Sequence, residues 1–223
     1  MIANKLQKLY GELPKEVTLV AVSKTKPIAD LQDAYDAGQR VFGENKVQEM
    51  CTKREQLPKE INWHFIGHLQ RNKVKYLAPF VDLIHGVESF RLLKEINKQA
   101  QKNNRVIDVL LQFFIANEET KFGLSFEEAE AILSDENFKE LQNVRICGVM
   151  GMASFSNNQE QIREEFKTLK STFDKLKSTF FDNEKSFNVI SMGMSGDYKI
   201  AIEEGSTMIR VGSSIFGARN YIA

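Results

Sequence analysis

The residue in this chain best placed to do chemistry is a lysine at the end of an apolar run, Val20-Ala21-Val22-Ser23-Lys24-Thr25-Lys26-Pro27. Side chains alternate along an extended segment, so Val20, Val22 and Lys24 share one face. Lys24 then emerges at the C-terminal end of a strand among apolar neighbours. Such surroundings make an amine give up its proton more readily, and a neutral amine attacks carbonyls to form a Schiff base. The plainer reading is a surface lysine at the start of a loop. Lys26 has the same parity, lies further out and ranks second.

Two further constellations follow apolar runs near the end of the chain. They are Ser191-Met192-Gly193-Met194-Ser195-Gly196-Asp197 and Ile209-Arg210-Val211-Gly212-Ser213-Ser214. Each puts glycine and hydroxyl groups where a strand gives way to a turn or helix. Free N–H groups, a hydroxyl and the positive end of a helix together make an anion site. Simple helix capping by Ser195 or Asp197 is the bland alternative. Barrels often bind phosphate in the loops after their seventh and eighth strands, and both stretches match that place.

Other motifs lack a needed residue. Gly193-Met194-Ser195-Gly196-Asp197 misses the hydrolase pattern G-x-S-x-G, because Asp197 replaces the second glycine. His64 and His68 have metal-like spacing but straddle a strand end and lack the glutamate of H-E-x-x-H. They are read as hydrogen-bonding histidines at a rim. His85 ends another predicted strand, and its spacing does not choose between rim and core.

The elements that must position these groups alternate regularly. Strands are predicted at 17–23, 40–42, 63–66, 83–87, 107–114, 145–150, 188–192 and 208–211. Helical periods fill 28–37, 46–56, 71–77, 89–102, 126–135, 159–180 and 197–204. Near-continuous apolar strands argue for a buried parallel sheet, and eight strand–helix units close a barrel. A leading helix at 2–10 is expected to stand in for the helix missing after the last strand. A doubly wound open sheet is the rival fold, but no glycine fingerprint follows the first strand. Glycines 43, 67, 86, 151, 193, 196, 212 and 217 are expected at or just after strand ends, where barrels build their sites.

The chain of 223 residues reads as one domain spanning 1–223. Its 30 Lys and Arg balance 30 Asp and Glu, so bulk charge offers no reason to expect nucleic acid or an anionic membrane as partner. Residues 1–17 are amphipathic without a signal-peptide core, and no apolar run is long enough to cross a bilayer. Cys51 and Cys147 match no metal or redox spacing, which suits a reduced, cytoplasmic location.

The motifs AVSKTKP (21–27), FGENKVQE (42–49), WHFIGHLQRNK (63–73), TKFG (120–123) and SMGMSGD…AIEEGSTMIRVGSSIFGAR (191–219) resemble a known family, the pyridoxal 5′-phosphate (PLP) homeostasis proteins. The resemblance covers almost the whole chain. It implies a (β/α)8 barrel of the TIM type, similar to the N-terminal domain of alanine racemase. It also implies PLP held as a Schiff base on Lys24 and Arg210 against the pyridine nitrogen. The phosphate would lie on Ser195, Gly212 and Ser213, with Asn45 close to the ring. The chain departs from the pattern at Ser213, where threonine is expected, and at Glu88, where aspartate is usual. The stretch 113–117 matches less well, and nothing is carried over from it.

A carrier of PLP is favoured over an enzyme. Racemisation needs acid–base groups on both faces of the substrate carbon, and Lys24 serves only one. Tyr10, Tyr35, Tyr76, Tyr198 and Tyr221 have no context that supplies the other. Arginine stays protonated, so Arg210 should donate to the pyridine nitrogen and leave the ring a weaker electron sink. A PLP-dependent amino-acid racemase and a Schiff-base lysine aldolase are the alternatives. The expected partners are PLP and PLP-requiring apoenzymes, and the expected state is a monomer.

Overall fold

A computed structural model describes residues 1–116 and 123–218. Most of the TKFG motif, with Lys121, and residues from Arg219 onward, with Tyr221, lie outside the described residues. The strands are β1 (Thr18–Val22), β2 (Val41–Glu44), β3 (Asn62–Phe65), β4 (Leu83–Val87), β5 (Ile107–Gln112), β6 (Val144–Met150), β7 (Val189–Met194) and β8 (Met208–Val211). They close in sequence order, every pairing parallel, with β1 returning to β8. This is the (β/α)8 barrel expected from the alternation.

The helices are α1 (Ile2–Glu12), α2 (Ile28–Asp36), α3 (Val47–Gln56), α4 (Val74–Leu77), α5 (Phe90–Lys102), α6 (Phe126–Ser134), α7 (Gln159–Phe180), α8 (Tyr198–Glu203) and α9 (Ser213–Phe216). Several of the longer helices turn an apolar stripe to the sheet. In α5 the stripe is Leu92, Leu93, Ile96 and Ala100, and Ser89 caps the start by accepting from the Leu92 N–H at 3.3 Å. Helix α6 opens with a capping box between Ser125 and Glu128. Helix α1 packs against α2 and α9, so it fills the gap that the four-residue α9 leaves after β8.

Two cores result. Outward strand residues and helix stripes form the large one, including Ala21, Phe42, Trp63, Ile84, Val109 and Ile209. Inside the barrel lies a small cluster of Val20, Leu83, Leu110, Cys147, Met150 and Met208. By strand alternation, Met208 shares its face with Arg210, Leu83 with His85, and Val20 with Val22 and Lys24. The barrel interior therefore has an apolar floor and becomes polar toward the C-terminal mouth.

Some expected boundaries move. Strand β2 runs on through Gly43 and Glu44, β7 runs to Met194, and Gly86 lies inside β4. Glycines 43, 86 and 193 are thus within strands: Gly43 is held by its ladder partner His64, whereas Gly86 and Gly193 fall where the register of β4 and β7 shifts.

Candidate functional site

Barrel closure makes the site. The first and last strands become neighbours, with Val20 paired to Arg210 and Ala21 to Val211. Strand β7 flanks β8 on its other side, with Met194 paired to Arg210. The residues following β1, β7 and β8 consequently meet at one mouth. A cavity of about 810 Å³ lies there, and Lys24, Asn45, Ser195, Arg210, Gly212 and Ser213 all line it.

Lys24 is half-buried just beyond β1, above Val22 on the same face. Lys26 also lines the cavity, but its Nζ donates to the carbonyls of Phe216, Gly217 and Ala218 at 2.8–3.1 Å. It ties the chain after α9 back to β1, a structural task that explains a second lysine of the same parity.

The loops after β7 and β8 are joined directly, the Gly212 N–H donating to Ser195 Oγ at 3.3 Å. A side chain at Gly212 would come within 3.0 Å of the Val22 carbonyl oxygen, so glycine is what lets this loop approach β1. Asp197 does not cap α8 with its side chain, contrary to one reading of the sequence. Its carboxylate turns back to accept from the Met194 N–H, and burial holds its pKa above the ordinary value.

Arg210 is buried in the floor of the cavity. Its Nη1 donates to the Ser191 carbonyl at 2.8 Å and to Ser191 Oγ at 2.6 Å, and its Nη2 to the Gly151 carbonyl at 2.9 Å. A guanidinium has five N–H groups, so two are left without a partner among the described residues. Burial lowers its pKa to about 10, with Asp197 opposing, and Arg210 stays charged at neutral pH.

Behind Ser191 runs a buried relay. Ser191 Oγ is 3.0 Å from His85 Nδ1, and His85 Nε2 is 3.1 Å from His64 Nδ1. Arginine can only donate, so the arrangement that uses every proton runs one way. Ser191 accepts from Arg210 and donates to His85, which donates from Nε2 to His64. Burial drives the pKa of His64 down to about 3 and that of His85 well below its ordinary value, so both rings are neutral. His64, expected at the rim, is instead buried within β3, paired with Gly43 of β2 and in contact with His85 of β4. His68 does sit at the rim, its Nδ1 2.9 Å from Glu88 Oε1. His85 belongs to the core.

Glu44 and Lys53 were not anticipated. Lys53 Nζ, almost fully buried, lies 2.6 Å from Glu44 Oε1 and 2.7 Å from Glu49 Oε1. Burial raises the Glu44 pKa, with Lys53 opposing. Nothing in the polar run Thr52-Lys53-Arg54-Glu55-Gln56 distinguishes a buried lysine from its exposed neighbours.

Comparison with known proteins places this geometry in a family. The model for the alanine racemase N-terminal domain matches residues 1–220. A pyridoxal phosphate homeostasis protein of Aquifex aeolicus is 41% identical over 208 residues, covering 91% of this chain and 87% of that protein. Its namesake in Escherichia coli K12 is 36% identical over 215 residues, covering 95% and 89%. Among solved structures, PipY of Synechococcus elongatus with PLP bound superposes with a TM-score of 0.87 at 34% identity, covering 97% of this chain and 100% of that one. The chain belongs to the alanine racemase N-terminal domain family and, within it, to the pyridoxal phosphate homeostasis proteins.

Proposed function

We propose that this protein holds PLP at the barrel mouth as a Schiff base on Lys24 and serves the homeostasis of that cofactor without catalysing a reaction of its own. The observation that carries this is a single cavity lined both by the Lys24 amine and by the Ser195, Gly212 and Ser213 loops, with Arg210 in its floor. The residues present fit the group. The linked, glycine-containing loops suit a phosphate, and the N–H groups of buried Arg210 that have no partner among the described residues suit a pyridine nitrogen that carries no proton. Asn45 lines the same cavity, which suits the place beside the ring that we assign to it. PipY, a relative at 34% identity, has been solved with PLP bound, which supports the reading.

The bonding step needs no oxidant. Lys24 would hold the PLP aldehyde as a Schiff base, the carbonyl oxygen leaving as water with the two hydrogens of the deprotonated amine. Bound PLP supplies an electron sink, but a donor at the ring nitrogen weakens it. A racemase would also need a second acid–base group, and no described tyrosine lines the cavity. Tyr10 is engaged with Gln39 and Tyr198 with Glu12. We therefore read a reversible carrier, with PLP-requiring apoenzymes as recipients. The reading takes the protein as one barrel domain spanning 1–223 that works as a monomer. No described helix is long and apolar enough to cross a membrane. Two unpaired cysteines fit the reducing cytoplasm in which we place the protein.

Adding PLP to the purified protein should produce a yellow absorbance band that borohydride abolishes. Lys24→Ala should remove the band yet retain weaker PLP binding through the phosphate loops. An unaltered band in Lys24→Ala would refute the assignment.

A further inference from the structure

Backbone anchors on both sides of Lys24 lead to one buried ion cluster. On the N-terminal side, the Ser23 carbonyl accepts from Lys53 Nζ at 2.7 Å, and Ser23 Oγ donates to Glu44 Oε1 at 2.7 Å. On the C-terminal side, the Thr25 N–H donates to Glu49 Oε1 at 2.6 Å. Lys53 joins the two, because its Nζ pairs with both Glu44 and Glu49. The side chains of Lys53 and Glu44 are 5% and 0% exposed. Taking them out of water carries a penalty that apolar packing of α3 on β2 would avoid.

Thr25 supplies the second observation. Its φ is 65°, in the left-handed region that a β-branched residue seldom adopts. Such a conformation persists only where the surroundings over-determine it, and the charged acceptor on its own N–H does so here. The Lys26 N–H closes the turn on the Ser23 carbonyl at 3.0 Å.

We propose that Glu49 and Lys53, braced by Glu44, are positioning residues. They hold Thr25 left-handed and thereby aim Lys24 into the cavity. Released from Glu49, Thr25 relaxes to negative φ and the chain changes direction immediately after Lys24. The amine then spends less time within reach of an aldehyde, and small misplacements of a reacting group cost large factors in rate. The inference rests on the reading of Lys24 as the Schiff-base lysine. A purely structural cluster would affect stability and leave the amine's reactivity unchanged.

Glu49→Ala separates the two roles. The rate of Schiff-base formation with PLP should fall by about tenfold or more, the scale of one charge-assisted hydrogen bond. Binding of pyridoxine 5′-phosphate, which has the phosphate and ring but no aldehyde, should stay within about twofold, since neither Glu49 nor Lys53 is among the residues lining the cavity. In the protein without ligand, amide hydrogen exchange at Thr25 should accelerate. Glycine takes positive φ without strain, so adding Thr25→Gly to Glu49→Ala should restore most of the lost rate. A wild-type rate in Glu49→Ala, an equal loss of pyridoxine 5′-phosphate binding, or no rescue by glycine would each overturn the clamp. Absence of any Schiff base in the parent protein would instead overturn the PLP reading and the clamp with it.

Discussion

Ser195 receives the Gly212 N–H and lines the cavity beside Ser213, so a negative charge there meets any bound phosphate. Ser195→Asp should weaken PLP binding by at least about tenfold, roughly 1.4 kcal/mol. Fluorescence titration measures this, and unchanged affinity would move the phosphate elsewhere. His64 and His85 give the residue scale a pH signature. Both are bases whose folded pKa is depressed, His64 to about 3. Their contribution is complete above the unfolded value near 6.5 and is lost as pH falls from there toward the folded value. At pH 5 a neutral His64 costs about 2 kcal/mol relative to an unfolded chain that has taken up its proton, and His85 acts in the same direction. The urea midpoint should therefore drop between pH 7 and pH 5. His64→Gln, which keeps a hydrogen-bonding group toward His85, should make the drop smaller. A profile that is the same in both proteins would contradict the buried neutral assignment.

At the scale of elements, much was legible in the sequence. Runs such as Val20-Ala21-Val22 and Leu83-Ile84 declare buried strands by composition alone, and Ser89 and Ser125 mark helix starts. Strands ending in Gly43-Glu44 or Gly193-Met194 were cut short, because their strand state comes from ladder partners rather than from their own preference. The four-residue α9 was missed because so short a stretch shows no period. The role of α1 was foreseen, and it carries a consequence. Leu6 is fully buried where α1 covers the gap left by α9. Leu6→Ala should destabilise the protein by about 2–5 kcal/mol in urea unfolding. A change below about 1 kcal/mol would show that the helix is dispensable to the barrel.

Over the whole molecule, the decisive fact is closure. Residues 24, 195 and 212–213 are far apart in the chain and meet only because β8 pairs with β1. Spacing along a sequence carries the polarity of each strand end, which is why Lys24, Ser195 and Gly212 could be picked out one by one. It carries nothing about hydrogen bonds across a barrel, so the Arg210–Ser191–His85–His64 relay and the Glu44–Lys53–Glu49 cluster came only with the structure. Net charge of zero fits a protein that captures its anion by local geometry and not by a long-range field. The central claim is that one particular amine, set among these converging loops, bonds to PLP. Its most direct test is borohydride reduction of the PLP-loaded protein followed by proteolysis and peptide mass mapping. The account predicts a stable pyridoxyl adduct on Lys24; an adduct confined to Lys26 or to another lysine would contradict it.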